Sequence, residues 1–203
     1  DMGAELRGTR GRGRPRALGP RDSSAEVIGL DPLRPDETYT LTGQATVAKT
    51  RAEVLTVRLE PADPPACPQA IEAIADADYL VLGPGSWFTS VMPHLLVPEI
   101  ADAIIESPAH KILALNIAPT EETDGFSPAR HLEVLAEHEP RIRFDTILAD
   151  RNFASEDSHL ASYARNLGAE LVEADLAVRD GTARHDTLRL ASAYAEIMGC
   201  AAH

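Results

Sequence analysis

Apolar and polar positions follow two different periods along this chain. Glu53–Leu59 alternates as a half-buried strand does, with Leu55, Val57 and Leu59 on one side. Runs rich in residues that suit a pleated surface predict shorter strands over residues 25–30, 38–42 and 45–47. The prolines and polar residues over 31–37 predict a turn. Residues 24–60 are therefore predicted to form a small antiparallel β unit.

From Pro61 onward, segments with apolar residues at three- and four-residue steps alternate with short, continuously apolar runs. The first kind predicts helices, over residues 68–77, 98–106, 127–138, 157–166 and 185–198. The second kind predicts buried strands, over residues 78–82, 111–115, 145–149 and 169–172. Strands alternating with helices are typical of a parallel sheet covered on both faces. Residues 61–203 are thus predicted to be a Rossmann-like α/β domain with flanking helices.

Charge and hydropathy narrow the range of functions. The chain has 203 residues, with 32 acidic and 19 basic side chains and a net charge of -13, which argues against a nucleic-acid-binding protein. No apolar run approaches the roughly 20 residues that a membrane helix needs, so we expect no membrane insertion. No signal-peptide pattern is visible, and the two cysteines lie far apart, which suits a cytoplasmic location.

The positive charge is concentrated near the beginning of the chain. Residues 7–21 contain six arginines and no acidic residue, together with glycine and proline. Because this composition offers almost nothing to bury, residues 1–23 are expected to form a basic, disordered segment. A basic arm that contacts an acidic partner is the alternative.

Three loops follow predicted strands, at the sheet edge where α/β proteins bind ligands. The first follows the strand over 78–82 and combines glycines, which let the backbone approach a ligand closely, with hydroxyl groups. If a helix begins at Ser86, its N–H groups add a phosphate site. An ordinary tight turn with a serine cap explains the same residues. The candidate phosphate-binding residues are Gly83, Pro84, Gly85, Ser86, Thr89 and Ser90.

The second loop follows the strand over 111–115 and is rich in carboxylates, amides and hydroxyls. Such groups suit the hydroxyls of a sugar or a hard cation such as Mg²⁺. A solvated acidic loop ending in a Ser127 helix cap is the alternative. The candidate sugar-side or cation-side residues are Asn116, Thr120, Glu122, Thr123, Asp124 and, one helical turn after Ser127, His131.

The third loop contains Arg184 and His185, a pair that could contact an anion. The alternative is that both lie on the surface beside Asp186, which caps the last helix. The sequence contains no readable arrangement of nucleophile, histidine and acid, and the histidine spacing matches no metal motif. No catalytic residue is therefore assigned.

Three segments together resemble the YvcK family of gluconeogenesis factors, which belongs to one superfamily with CofD. Residues 77–98, containing Gly-Pro-Gly-Ser, resemble the family signature. The segment from Asn116 to Gly125, followed by His131, resembles a second motif, except that Glu121 stands where the family usually has glycine. Residues 184–186 resemble the family's late Arg-His-Asp segment. The glycine-rich loop with which family members begin is missing, which predicts that this chain corresponds to their C-terminal portion.

The resemblance implies a Rossmann-like protein that binds a UDP-sugar, notably UDP-N-acetylglucosamine. It places the Gly-Pro-Gly-Ser segment at the pyrophosphate and the acidic loop near the sugar or a cation. It further implies a cytoplasmic, homo-oligomeric regulator of carbon metabolism, cell-wall synthesis and cell shape, with an unidentified cell-wall or morphogenesis protein as partner and no required cofactor. The alternative within the superfamily is a CofD-type 2-phospholactate transferase of coenzyme F420 synthesis.

Overall fold

A small antiparallel sheet precedes the main domain. The computed structural model describes residues 24–31, 34–42, 54–60 and 62–199. The first three strands are β1 (Ser24–Asp31), β2 (Arg34–Thr42) and β3 (Val54–Glu60), in the order β2-β1-β3. The turn predicted over 31–37 is wrong for its second half, because Asp31 pairs with Arg34 and residues 34–37 belong to β2. Strand β2 lies at the edge of this sheet, where a proline such as Pro35 is tolerated.

Two predictions for the first part of the chain lie outside the described residues. These are the basic segment over 1–23 and the short strand over 45–47. The alternation predicted for β3 is confirmed at its described side chains, because Val57 and Leu59 are buried and Arg58 is exposed. Val57 and Leu59 join the core of the following domain. The division of the chain into segments 1–23, 24–60 and 61–203 stays a prediction.

Four parallel strands form the main sheet and confirm the α/β class predicted from the sequence. They are β4 (Tyr79–Leu82), β5 (His110–Ala114), β6 (Thr146–Asp150) and β7 (Glu170–Ala174). The strands lie side by side in the order of the chain. All four carboxyl ends therefore meet at one edge of the sheet, where the three predicted loops begin.

Helices connect these strands, and most begin at a proline or a capped position. They are α1 (Pro68–Ala75), α2 (Pro93–Leu96), α3 (Pro98–Glu106), α4 (Pro128–His138), α5 (Arg151–Ser155), α6 (Leu160–Asn166) and α7 (Thr187–Ile197). The Ser127 hydroxyl caps α4 by accepting from the Arg130 N–H, and the Asp186 carboxylate caps α7. Two further turns are a π-helical turn over Trp87–Val91 and a 3₁₀ turn over Glu121–Thr123. The five predicted helices are confirmed, whereas the short helices α2 and α5 were not predicted.

The strand order explains how the two faces of the sheet are covered. When parallel strands follow one another in chain order with right-handed crossovers, their connecting helices fall on one face. Leu80, Leu113 and Ile147 accordingly belong to the larger core cluster. Val81 and its same-face neighbours in β5 and β6 form a smaller cluster with Ala193 of α7. Helices thus cover both faces, as predicted, but unequally. Within the described ranges no helix is long and apolar enough to cross a membrane.

Candidate functional site

The residues 83–86 that follow β4, called here the glycine loop, cross the carboxyl end of β5. Gly83 has a φ of +76°, and the Gly83–Pro84 bond is cis. A Cβ atom at Gly83 would lie 2.4 Å from the carbonyl oxygen of Ala114. At Gly85 a Cβ atom would lie 3.4 Å from the Cβ of Ser90. Glycine is therefore required at position 83 by both conformation and space, and position 85 is tight.

The glycine loop is joined to the acidic loop, residues 116–126, through one amide side chain. The Gly85 N–H donates to Oδ1 of Asn116 over 3.0 Å, and Nδ2 of Asn116 donates to the Gly85 carbonyl over 3.0 Å. Asn116 thus satisfies both backbone polar groups of Gly85. The structure brings together the first and second candidate loops, as the meeting of strand ends requires.

The helix expected to begin at Ser86 exists, but it is a five-residue π-helical turn. The hydroxyl-bearing residues of this turn differ in exposure. Thr89 is buried, whereas Ser86 and Ser90 are half-buried. Ser86 also begins the turn, because its carbonyl accepts from the N–H groups of Ser90 and Val91. The turn is too short for a large helix dipole, so the anion site expected from helix N–H groups alone is weakened here.

Glu122 lies beneath this turn. Its Oε1 accepts from the Phe88 N–H over 3.3 Å, and its side chain is 2% exposed. Burial raises the pKa of Glu122 to about 7, although the backbone of Phe88 and Trp87 and the side chain of Ser86 favour the charged form. Oε2 of Glu122 has no hydrogen-bond partner. The carboxyl group therefore belongs to the support of the turn and is almost closed to solvent.

The remaining acidic-loop residues are arranged by a short 3₁₀ turn. The Thr120 N–H donates to Oγ1 of Thr123 over 2.9 Å, and the Thr123 N–H donates to the Thr120 carbonyl over 3.0 Å. This reciprocal capping buries Thr123 and leaves Thr120 half-buried. Glu121 and Asp124 are exposed. Among the described residues, no three histidine, cysteine or acidic side chains are grouped closely enough to hold a metal ion.

His131 lies in an aromatic cluster of the core. Its ring makes edge contacts with Trp87, Phe126 and Phe153 at centroid distances of 5.0, 5.4 and 5.9 Å. Nδ1 contacts the Ser127 carbonyl over 2.9 Å, which requires Nδ1 to carry the proton and leaves Nε2 as a bare nitrogen without a partner. Burial lowers the pKa of His131, so the ring is neutral near pH 7. His131 packs behind the turn and is not open to a ligand.

Arg184 and His185 have different surroundings. The guanidinium group of Arg184 is exposed and donates to Oδ2 of Asp180 over 2.7 Å. His185 is half-buried, and burial lowers its pKa, opposed by a hydrogen bond with the Leu115 backbone and by the charge of Asp150. His185 therefore lies at the carboxyl ends of β5 and β6, close to where the acidic loop begins.

Asp150, the last residue of β6, was missed by the sequence analysis. Its Oδ2 accepts from the N–H groups of Leu176 and Ala177 over 2.9 and 3.1 Å, and Oδ1 accepts from Asn152 over 2.9 Å. The carboxylate is buried and ties the end of β6 to the loop after β7. In the sequence, Asp150 is visible only as an acidic residue directly after an apolar strand. Its role could not be predicted, because the backbone groups of Leu176 and Ala177 lie 26 and 27 residues further along the chain.

These features define a class of protein, namely an α/β protein whose parallel sheet carries a glycine loop and an acidic loop at its carboxyl edge. The chain belongs to the CofD family, because residues 25–191 match the family described as 2-phospho-L-lactate transferase CofD. This match confirms the superfamily recognised from the sequence motifs.

Individual relatives refine the assignment to the gluconeogenesis-factor group. The chain is 43% identical over 189 residues to a provisionally named gluconeogenesis factor of Mycobacterium tuberculosis (strain CDC 1551 / Oshkosh), covering 91% of this chain and 55% of that protein. It is 33% identical to the gluconeogenesis factor of Listeria monocytogenes, covering 74% of this chain and 51% of that protein. The chain thus spans about half the length of the curated relatives it matches.

Solved structures agree with the fold. A crystal structure of a UPF0052 family protein from Bacillus halodurans matches with a TM-score of 0.66 and 28% identity, covering 83% of this chain and 58% of that chain. The resemblance to the YvcK family and the Rossmann-like parallel sheet are both confirmed by these comparisons.

Proposed function

We propose that the carboxyl edge of the main sheet, at the ends of β4 and β5, binds the diphosphate of a UDP-sugar such as UDP-N-acetylglucosamine. The observation that carries the proposal is the glycine loop, which crosses the end of β5 and is held there by Asn116. Ligands of open parallel sheets bind at this edge, and glycines allow a phosphate to approach the backbone.

The exposure of the candidate residues divides them into contacts and supports. Gly83, Pro84, Gly85, Ser86 and Ser90 are half-buried and are proposed to lie along the diphosphate. Thr120 and Asp124, together with Asn116, are proposed on the sugar side. Arg184 and His185 are proposed as anion contacts, for which Arg184 has to leave Asp180. Thr89, Glu122, Thr123 and His131 are buried and support the site from behind.

The proposed biological role follows from similarity to gluconeogenesis factors. In this proposal the protein is a cytoplasmic regulator that reports UDP-sugar supply to carbon metabolism, cell-wall synthesis and cell shape. It acts as a homo-oligomer through an unidentified cell-wall or morphogenesis partner. A bound Mg²⁺ beside the diphosphate is compatible with Asp124 and is tested by titration with and without the ion.

A second candidate function is transfer of a phospholactyl group from a lactyl nucleoside diphosphate to a hydroxyl group of a deazaflavin, which forms a phosphodiester and releases the nucleoside monophosphate. The family description, 2-phospho-L-lactate transferase, is the observation that favours it. Incubating the protein with a lactyl nucleoside diphosphate and a deazaflavin, and following the flavin product by chromatography, distinguishes a transferase from a regulator. Formation of product would favour the transferase.

A thermal-shift titration with UDP-N-acetylglucosamine, UDP-glucose and UDP tests the binding proposal. A ligand that binds the folded state at 100 times its Kd stabilises it by about 2.7 kcal/mol. The longer Mycobacterium tuberculosis relative serves as a parallel sample. If the relative responds and this chain does not, recognition needs the part of the relatives that this chain does not span. If neither responds, the UDP-sugar proposal is wrong.

A further inference from the structure

Two side chains of the acidic loop accept hydrogen bonds from backbone N–H groups of the candidate phosphate site. Asn116 accepts from the N–H of Gly85, and Glu122 accepts from the N–H of Phe88 at the start of the π-helical turn. Hydrogen bonds of this kind fix the direction in which the remaining groups of the turn point. Ser86 and Ser90 are both half-buried. In the chain they directly precede and follow the Trp87–Thr89 segment that Glu122 supports.

Burial separates Glu122 from the other acids of its loop. Glu121 and Asp124 are exposed, whereas Glu122 is 2% exposed. The Glu122 carboxyl therefore faces the inside of the molecule, where it meets the backbone of Phe88 and Trp87 and the side chain of Ser86.

We propose that Glu122 is a positioning residue, which holds the Trp87–Val91 turn through its hydrogen bond to the Phe88 N–H and its contacts with the Trp87 backbone and the Ser86 side chain. In this way it fixes the turn that presents Ser86 and Ser90 to the ligand, without touching the ligand itself. This inference rests on the proposed function. The turn requires from residue 122 an acceptor oxygen that lies within hydrogen-bond distance of the Phe88 N–H. It does not require a negative charge. Glutamine supplies that oxygen at the same reach, whereas aspartate keeps the charge but is one methylene shorter.

The test compares Glu122→Gln with Glu122→Asp, and uses Glu121→Gln and Glu121→Asp as matched controls at the exposed neighbouring glutamate. Circular dichroism verifies that all four variants fold. The chain contains one tryptophan, Trp87, so quenching of its fluorescence by acrylamide reports on the turn in the free protein. Calorimetric titration with UDP-N-acetylglucosamine reports on the ligand.

The two readouts distinguish a positioning role of Glu122 from direct contact with the ligand. For a positioning residue, Glu122→Gln keeps its Kd within about threefold of the unsubstituted chain, whereas Glu122→Asp weakens binding about tenfold, the equivalent of 1.4 kcal/mol, and exposes Trp87 to quenching. The Glu121 variants change neither readout. If Glu122→Asp binds better than Glu122→Gln, the charge itself contacts the ligand and the inference is wrong. Tighter binding by both variants would show that Glu122 competes with the ligand, and this also overturns it.

The two proposals can fail separately. Absence of UDP-N-acetylglucosamine binding by the unsubstituted chain and by its Mycobacterium tuberculosis relative overturns the proposed function, and with it the ligand-directing part of the inference. The support of the turn is then decided by Trp87 quenching alone. Equal quenching in Glu122→Asp and the unsubstituted chain overturns that part too.

Discussion

Asn116 and Gly85 exchange two hydrogen bonds, each 3.0 Å long, between the side-chain amide of one residue and both backbone polar groups of the other. The pair joins the loop after β4 to the loop after β5 at the carboxyl edge of the sheet. An asparagine is required because it offers a donor and an acceptor on one planar group. The arrangement keeps the glycine loop folded over the end of β5 before any ligand arrives.

We expect Asn116→Ala to lower the free energy of unfolding by about 1–3 kcal/mol, since both partly buried groups of Gly85 lose their partners. The substitution should also weaken UDP-N-acetylglucosamine binding, because the glycine loop is released. Urea denaturation measures the first effect and calorimetry the second. Asn152→Ala is the control, because the described hydrogen bonds of Asn152 use its backbone N–H and carbonyl and not its side chain. An equal loss in both variants would contradict the proposed role of the Asn116 amide.

Gly83→Ala should be much more destabilising than Gly181→Ala. Both glycines have a positive φ, +76° and +81°, so each alanine incurs the same conformational cost of about 1–2 kcal/mol. At Gly83 the new Cβ would also lie 2.4 Å from the Ala114 carbonyl oxygen, whereas at Gly181 nothing lies within 4 Å. The difference between the two unfolding free energies isolates this clash. Equal losses would mean that the glycine loop moves away from β5 without cost.

Glu122→Gln should change how stability depends on pH. The pKa of Glu122 is about 7 in the folded protein, against 4.5 for an ordinary glutamate, so the unfolded chain releases its proton first. The stability contribution of protonated Glu122 is fully present below about pH 4.5 and is lost as the pH rises to about 7, an effect on the order of 3 kcal/mol. Glutamine does not titrate, so the variant gains stability relative to the unsubstituted chain between pH 5 and pH 8.5.

Urea denaturation at these two pH values, with Glu121→Gln as control, measures the gain. Glu121 is exposed, so its substitution removes the same charge without removing a buried acid. An equal gain in stability in Glu121→Gln and Glu122→Gln would show that the effect comes from the change in net charge. No gain at Glu122 would show that its carboxyl group is solvated.

Asp150→Ala should cost more stability than Asp145→Ala. The carboxylate of Asp150 is buried and accepts from three backbone N–H groups, those of Asn152, Leu176 and Ala177. Removing it leaves donors unsatisfied, and we expect a loss of about 3 kcal/mol or more. Asp145 is exposed and its Oδ2 accepts from the Lys111 N–H, so its loss should stay near 1 kcal/mol. Similar losses would indicate that water replaces the Asp150 carboxylate.

The secondary structure was largely readable from local pattern, and the exceptions have physical reasons. Segment 34–37 contains Pro35 and polar residues that suit a turn, yet it belongs to the edge strand β2, where a missing N–H and polar side chains cost little. The unpredicted helices α2 and α5 have four and five residues and are too short to display helical periodicity. The helix expected after Ser86 forms with π rather than α geometry, which residue spacing does not specify.

Local pattern also located the candidate site, because parallel strands end at a common edge and the residues after each strand can be read directly. The periodicity of the chain therefore determined the α/β class, the order of elements and the three loops in question. The direction and burial of the side chains were decided by contacts between segments distant in the chain. Glu122 faces Phe88, His131 faces Trp87, and Asp150 reaches Leu176 only after folding. Because such contacts depend on how strands and loops are brought together, the tertiary structure decided which polar residues of the candidate site stay accessible and which are buried behind it.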